Sequence, residues 1–497
     1  MTFLLRAVLR VRLRGTTGTT GRAQPVLIVA NHKSPFDALL LGLFLPHHPV
    51  IIVPPDDAQS GFMRWALRYV AHAVLDVGNP ASLKAILKLL RTHRPVVVFP
   101  EGRVTHSGAV TKVYPVAALA AAKSAAVVVP VHIVGRSVAG RGTGLVKSAC
   151  VMLKGVTLHL LPERRIDAAP DGTARQRRLL ATRRLTSIMQ QATLEAFVCK
   201  TLFECFLDAC SEHGRNTDLI EDQRQGVQTY GAMLRAGLAL GRLFKRATSD
   251  NERVGVLLPN VPVTVQTVLA LSGAGRVPVM FNYSGGIAAV KAARTAAGVR
   301  TVITSRRFID QARLQHLLDA LSGCMIVYLE DLRSQFGLGD KLWLIAFALR
   351  FPRLVIARRR ASDPAAVLLT SGSDGEPKAV VLSHQAIVAN VVQIRTVMEF
   401  TADDKILNPL PLYHAYSFTA GMALSLVTGT RMHLYISPLH YRAIPDIAYR
   451  TDCTVLFGTG TFLSYYAAHA HPADFARLRY VISGGEKLAP EVARVWM

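Results

Sequence analysis

His32 and Asp37 are the first residues in the chain whose types and spacing could do chemistry. They stand in residues 31–37, NHKSPFD, after the apolar run 26–30 and before the apolar stretch 38–45. The run reads as a buried parallel strand and the stretch as a helix facing a core. That puts the pair at the carboxyl end of a strand, where open α/β sheets place their ligands. Five residues apart on one continuous helix, the two would point about 140° apart. A turn must intervene: Ser34 suits an N-cap and Pro35 the first helical position. Asp37 then falls in the first helical turn, where the helix dipole favours its charge. A neutral imidazole whose far nitrogen donates to a carboxylate is an oriented general base. No Ser or Cys adjoins the pair as a nucleophile, so the base would act on a hydroxyl of the substrate. The same residues also fit a His that caps a turn beside a solvated carboxylate.

The next signal favours chemistry. Residues 96–99 form another apolar strand, followed by Pro100, Glu101, Gly102 and Arg103; residues 127–135, VVVPVHIVG, form a third. NHxxxxD, then a strand ending in PEG, then a strand containing VP, resembles the glycerolipid acyltransferases of the lysophosphatidate-acyltransferase type. In that family the His and Asp activate the glycerol hydroxyl, and the PEG segment binds the phosphate of the acceptor. The resemblance therefore implies His32 and Asp37 as the catalytic pair, with Glu101, Gly102 and Arg103 at the phosphate. Arg103 follows Gly102 directly, where the common family form has a residue between them.

A second constellation lies in residues 368–384, LLTSGSDGEPKAVVLSH. A strand runs into a loop of Thr370, Ser371, Gly372, Ser373 and Gly375, and returns as a strand past Lys378. Small hydroxyl and glycine residues let backbone N–H groups wrap a phosphate chain, and a lysine adds a point charge. A Walker loop would need glycine at position 377, where this chain has Pro377. The segment resembles the phosphate loop of adenylate-forming enzymes, the acyl ligase superfamily. There these residues grip ATP while a carboxylate attacks the α-phosphate; pyrophosphate leaves and an acyl-adenylate remains. Ala379 stands where that family usually has glycine. Three further blocks fall in the family's order. Thr229 and Tyr230, an Ala/Leu-rich helix to about residue 244, and VGVLLPN at 254–260 resemble its opening. PLPLYHAYSFTAG at 409–421 resembles the segment lining the acyl pocket, with His414 near its mouth. VISGGEKL at 481–488 resembles the loop past the adenine and acyl group, through Ser483, Gly484, Gly485 and Glu486. A lone His on an apolar segment is more often a core residue; the surrounding block singles out His414.

PVVVFPEGRV, TKVYP, CTVLFGTGTFL and SPLHYR are similar to runs in a bacterial group that joins both activities in one chain. That resemblance implies ATP and Mg²⁺ for a ligase half that loads fatty acid onto the thiol of acyl carrier protein. It implies an O-acyltransferase half that passes the acyl group to the 1-hydroxyl of a lysophospholipid, 2-acylglycerophosphoethanolamine, at the cytoplasmic face of the inner membrane. In adenylate-forming enzymes a Tyr-Gly-x-Thr-Glu block for Mg²⁺, an Asp for the ribose and a domain with a catalytic Lys follow the GGE loop. Met497 comes before all of these. The expectation is that these 497 residues transfer preformed acyl groups but do not make them from fatty acid and ATP. The last helix, 490–496, is expected to fray, with Trp496 poorly buried. Two alternatives stay open: an acyltransferase with an inactive adenylation half serving as scaffold or carrier-protein dock, and a membrane-surface protein with both sites vestigial.

The elements around these residues read as α/β throughout. Residues 1–162 form the acyltransferase α/β domain, 163–199 a basic linker, and 200–497 an adenylate-forming α/β domain lacking its C-terminal part. The linker reads as a polar loop leading into a basic helix, either solvated or a lipid-headgroup patch. Half of the residues are hydrophobic and 18% are charged, which excludes a disordered chain. The net charge of +25 points to nucleic acid or an anionic membrane surface. Basic residues are dispersed and no basic run is interleaved with aromatics, so the membrane is favoured. Cys150, Cys199, Cys205, Cys210, Cys324 and Cys453 show no zinc or CxxC spacing and read as reduced core residues. Residues 1–14 are too short in apolar run for a signal peptide. They suit either a helix lying on a membrane or, at 11–14, an edge strand. Residues 254–275 and 406–430 carry no charge over 22 and 25 positions. Pro259, Pro262, Pro409 and Pro411 make them buried strand–loop–helix segments rather than membrane spans, so membrane contact is expected to be peripheral.

Overall fold

The structure, a computed structural model, describes residues 10–15, 24–59, 61–105, 108–135, 155–167, 171–197, 199–371 and 377–497. It divides into two compact units, residues 1–198 with 392–399, and residues 199–391 with 400–497.

The first unit is built on a seven-stranded sheet. Its strands are β1 (Arg12–Arg14), β2 (Val26–Ala30), β3 (Val50–Val53), β4 (His72–Val74), β5 (Val96–Val98), β6 (Val127–Val134) and β7 (Thr157–Leu160). The order is β1-β7-β6-β2-β5-β3-β4, parallel except where β6 meets β7. Helices cover both faces: α1 (Asp37–Phe44), α2 (Pro55–Ala58), α3 (Gly61–Ala66), α4 (Ser82–Leu90), α5 (Pro115–Ser124) and α6 (Ala174–Glu195). The period-2 rule shows in β2, which is buried along its whole length. Val26, Ile28 and Ala30 pack with Leu40 and Leu41 of α1, whereas Leu27 and Val29 pack with Ile86 and Leu90 of α4. A strand buried on both faces is uniformly apolar for that reason.

Three expectations need correction or limits here. Helix α1 starts at Asp37, and Ser34 is not its cap; the preceding residue is Phe36, without a side-chain cap bond. Ser34 to Phe36 form a turn instead, because the Asp37 carboxylate reaches back to the N–H groups of Lys33 and Ser34. The stretch expected as a linker is largely α6, which opens on a Thr173–Gln176 capping box. Its Ala181, Leu185, Ile188 and Met189 sit in the core of the first unit, and its arginines line the outer side. Of the two readings for the N-terminus, residues 12–14 are an edge strand, parallel to β7; residues 1–9 lie outside the described residues.

The second unit holds two six-stranded sheets. The strands are β8 (Asp218–Asp222), β9 (Gly226–Thr229), β10 (Arg253–Val256), β11 (Val277–Met280), β12 (Thr301–Thr304), β13 (Met325–Tyr328), β14 (Pro364–Ser371), β15 (Pro377–Ser383), β16 (Lys405–Asn408), β17 (Arg431–Leu434), β18 (Val455–Gly458) and β19 (Tyr480–Ser483). One sheet runs β13-β12-β10-β11-β14-β15 and the other β19-β18-β16-β17-β8-β9. The helices used below are α7 (Leu202–His213), α8 (Tyr230–Ala247), α9 (Pro262–Ala274), α10 (Leu338–Trp343), α11 (Pro352–Val355), α12 (Gly460–His469) and α13 (Pro490–Trp496). Both uncharged stretches are strand–loop–helix segments: β10 leads to α9, and β16 leads to a π-helical turn at Ser417–Ala423. Helix α9 lacks charges because it is buried along nearly all its length. Among the described residues no helix is long and apolar enough to cross a membrane. The described cysteines are free thiols, with Cys205, Cys210 and Cys453 buried and Cys199 exposed. Helix α13 forms, and Trp496 is better held than expected: its indole N–H donates to the Leu463 carbonyl at 3.2 Å and its ring meets Phe475.

Candidate active sites

The first site hangs from the end of β2. Asn31 extends the pairing of β2 with β6 through its side chain: its Oδ1 accepts from Ile133 N–H at 2.7 Å and its Nδ2 donates to Ile133 O at 3.3 Å. His32 follows at once and is 1% exposed. Its ring stacks on Phe99, with centroids 4.3 Å apart, and its carbonyl accepts from the Thr105 N–H at 2.7 Å. Nδ1 of His32 lies 3.2 Å from Oδ2 of Asp37. The same oxygen accepts from Lys33 N–H at 2.6 Å and Ser34 N–H at 2.8 Å. One carboxylate thus shapes the turn and orients the ring. The other ring nitrogen, Nε2, lies 3.3 Å from Oδ2 of Asp57 on α2. Burial opposes charging of the ring, but hydrogen bonds and charge from Asp37 and Asp57 outweigh it and raise the pKa to about 9.

The PEG loop closes over this turn. Glu101 is 4% exposed, and its carboxyl bonds to Thr105 and the His32 backbone. Burial pushes the Glu101 pKa up to about 7 against those bonds. Gly102 has a φ of +67°, and a Cβ there would stand 2.7 Å from Cε2 of Tyr114. Arg103 is exposed. The structure therefore brings Glu101 to the dyad and turns Arg103 outward from the same loop.

The second unit shows only the ends of the phosphate loop. Thr370 on β14 faces Lys378 on β15 in the antiparallel pair, and both are exposed. Ser371 ends β14; Gly372, Ser373 and Gly375 lie outside the described residues. The other candidates cluster. Strands β16, β18 and β19 are parallel neighbours, so the loops after them leave from one edge. Tyr416 donates to Ile482 O at 2.7 Å, and a Cβ on Gly484 would stand 2.9 Å from the Tyr416 ring. Glu486 accepts from the Thr461 N–H at the start of α12, and these bonds with Thr461 and Thr459 hold its pKa below the usual range. Ser483 Oγ is buried with no hydrogen-bond partner among the described atoms. His414 lies exposed, its ring centroid 4.7 Å from that of Tyr413. Tyr413 in turn bonds to Ser284 after β11 at 2.9 Å, and Asn260 after β10 donates to Asn408 O and Tyr435 O. The carboxyl edges of the two sheets thus face each other, as a nucleotide cleft requires.

Sequence reasoning missed Asp57, Thr105, Phe99 and Tyr114 in the first site, and Tyr413, Tyr416 and Ser284 in the second. For Asp57 a signal existed: PDDA follows the apolar run VIIV, so its carboxylates stand at a strand's carboxyl end.

Comparison with known proteins finds a family match for each unit. The family described as AMP-binding enzyme matches residues 206–497, more than half of the chain. The chain belongs to the AMP-binding enzyme family. Within that framework, residues 10–134 match the family described as acyltransferase. Relatives of the AMP-binding part include 4-coumarate–CoA ligase 1 of Arabidopsis thaliana, 25% identical, covering 59% of this chain and 53% of that protein. The medium-chain fatty-acid–CoA ligase of Escherichia coli is 32% identical over 26% of this chain and 23% of its own. The chain spans about half the length of the first curated relatives it matches. A long-chain-fatty-acid–CoA ligase from Archaeoglobus fulgidus is similar in fold, with a TM-score of 0.50, 15% identity and 60% of each chain covered. The AMP-binding fold follows from the family match, and the N-terminal α/β unit carries the acyltransferase match.

Proposed function

We propose that the first unit acylates the 1-hydroxyl of a lysophospholipid, 2-acylglycerophosphoethanolamine, from acyl-acyl carrier protein at a membrane surface. The observation that carries this reading is the buried His32–Asp37 pair at the end of β2, under a loop that presents Arg103. Asp37 holds Nδ1 and leaves Nε2 of the neutral ring, the form present above its pKa, to receive the hydroxyl proton once Asp57 has swung aside. The freed oxygen attacks the thioester carbonyl, the C–S bond breaks, and His32 returns the proton to the departing thiolate. Arg103 supplies the charge for the acceptor phosphate, and Glu101 with Thr105 fixes the loop to the backbone of His32. Membership of the AMP-binding family supports ATP as the substrate of the second unit, with Thr370 and Lys378 at its phosphates. The unpartnered Ser483 Oγ, beside Gly484 and Gly485, fits a polar ligand at the carboxyl edge. Bound ATP supplies the pyrophosphate leaving group for forming an acyl-adenylate. Among the described residues no group of three or more His, Cys, Asp or Glu is placed to hold a metal ion.

Transfer of a labelled acyl group from preformed acyl carrier protein to the lysophospholipid tests the first half. Labelled diacyl product is expected, and its loss by about 10² to 10⁴ in His32→Ala with the fold intact. Near-normal turnover by that variant would overturn the assignment. ATP–pyrophosphate exchange with fatty acid, compared between wild type and Lys378→Ala, tests the second half.

A further inference from the structure

The second unit presents an apolar face where a soluble surface should be polar. Helix α10 continues through a π-helical turn, Leu344–Ala348, toward α11. Along it Asp340, Leu344 and Ala348 point inward and are buried. The opposite stripe is Leu338, Leu342 and Ile345, at helical spacing and 78%, 70% and 72% exposed. Phe347, Phe351 and Leu354 extend it, the last 68% exposed. Single exposed apolar residues need no explanation, but a contiguous set does.

The segment is not loose. Asp340 is gripped by Arg242 and Arg246 of α8, and the Arg242 guanidinium lies over the Trp343 ring at 4.2 Å. Arg215 donates to Leu349 O at 2.6 Å and Lys245 to Val355 O at 2.9 Å. Between the segment and α8 lies a cavity of about 410 Å³, lined by Gly237, Gly241, Trp343 and Val355 among others. The segment is thus held to the body of the unit along its inner side, with the cavity beneath part of it. Between positions 338 and 360 the only acid is the internally paired Asp340; of the bases there, Arg353, Arg359 and Arg360 pair with Asp208, Asp250 and Asp363, and Lys341, Arg350 and Arg358 make up the rest of a basic rim.

We infer that residues 338–356 are a membrane-docking element that inserts Leu338, Leu342 and Ile345 into an anionic lipid surface while the neighbouring Lys and Arg residues meet lipid phosphates. Charge complementarity selects the occupant. Side chains exposed over successive turns need an apolar phase, and the basic rim needs anions at its boundary; an anionic bilayer supplies both. The inference deepens the membrane part of the proposed function and rests on it.

Sedimentation with vesicles of phosphatidylethanolamine and phosphatidylglycerol tests it, with phosphatidylcholine vesicles as the neutral comparison. The full 497-residue chain is expected to pellet with the anionic vesicles, less so at high salt. Leu342→Glu with Ile345→Glu should lower the partition roughly tenfold or more, with the thermal transition unchanged because both positions are exposed. Lys341→Glu with Arg350→Glu should lower it about tenfold on anionic vesicles alone. If the wild type pellets and the Leu342→Glu/Ile345→Glu chain pellets equally, this element is overturned while peripheral membrane binding stands. If the wild type binds no vesicle, both fall. A wild-type dimer that the apolar variant dissociates, or capture of acidic carrier protein by this face without vesicle binding, would overturn it in favour of a protein partner.

Discussion

The Asp57 carboxylate stands 3.3 Å from Nε2 of His32, on the ring nitrogen opposite the one that meets Asp37. Two carboxylates thus bracket one buried imidazole. The nitrogen that accepts a proton in the proposed acyl transfer is covered in this structure by an acid. The ring pKa of about 9 means that the resting base is charged at neutral pH.

Acyl transfer is therefore expected to rise with pH along a limb that ends near 9. Asp57→Asn removes one charge from Nε2, so the limb should move toward lower pH and turnover at pH 7 should increase. The pH profile of kcat/KM reports this directly. A limb that stays put in the variant would show that Asp57 does not govern the base. The same shift acts on stability with a fixed sign. The folded pKa lies above the unfolded 6.5, so this contribution is complete below 6.5 and is lost as pH rises through about 9.

Asp37→Asn is expected to cost less rate than His32→Ala, because an amide oxygen can still accept from Lys33 and Ser34. Asp37→Ala removes those bonds as well, so it should lower the melting temperature as well as the rate. Comparison of kcat and thermal unfolding for the three variants checks the order. Equal losses of stability in the Asn and Ala variants would mean that the turn does not depend on this oxygen.

Gly102→Ala forces a side chain into the left-handed region and against Tyr114. The strain should cost about 1–3 kcal/mol, seen as a lower urea midpoint. KM for the proposed lysophospholipid acceptor should rise, because Arg103 is the next residue in the chain.

Glu221 bridges Lys405 at 2.8 Å and His433 at 3.1 Å. Burial alone would raise its pKa, but the bonds from His433 and Lys405 and their charges outweigh it and bring it down to about 2. Its contribution is present above the unfolded value of 4.5 and lost as pH falls through about 2. Discounted for partial exposure, it amounts to about 1–2 kcal/mol. Glu221→Gln should flatten the acid limb of stability below pH 4.5, measured by urea titration between pH 2 and 6.

Much of the architecture was legible because strands such as β2 and β5 are buried along their whole length and so are unbroken apolar runs. His32, Asp37 and the PEG loop were legible because turn chemistry confines them to a few residues. Asp57 was not read, since its contact with His32 joins positions 25 residues apart through tertiary packing. Ser34 was misread as a cap because a Ser-Pro pair signals a helix start locally, whereas the Asp37 carboxylate takes the backbone donors first. Helix α6 was expected as a basic helix but assigned to a linker rather than to the core, because its arginines dominate the composition. The buried stripe of Leu185, Ile188 and Met189 is narrow and recurs only at helical spacing.

Helix α6 also determines where the first domain could be exchanged between chains. A crossover at residue 162 would cut between β7 and the helix that completes the hydrophobic layer over α4 and α5. The recipient would then expose Leu185, Ile188 or their counterparts' sockets to water, and the donor would carry an Arg-rich helix with an unmatched apolar seam. A cut beyond residue 195, where the helix ends, leaves that layer whole. The unit of exchange is therefore the sheet together with its basic helix, whose outer arginines are exposed while the inner stripe belongs with the sheet it covers.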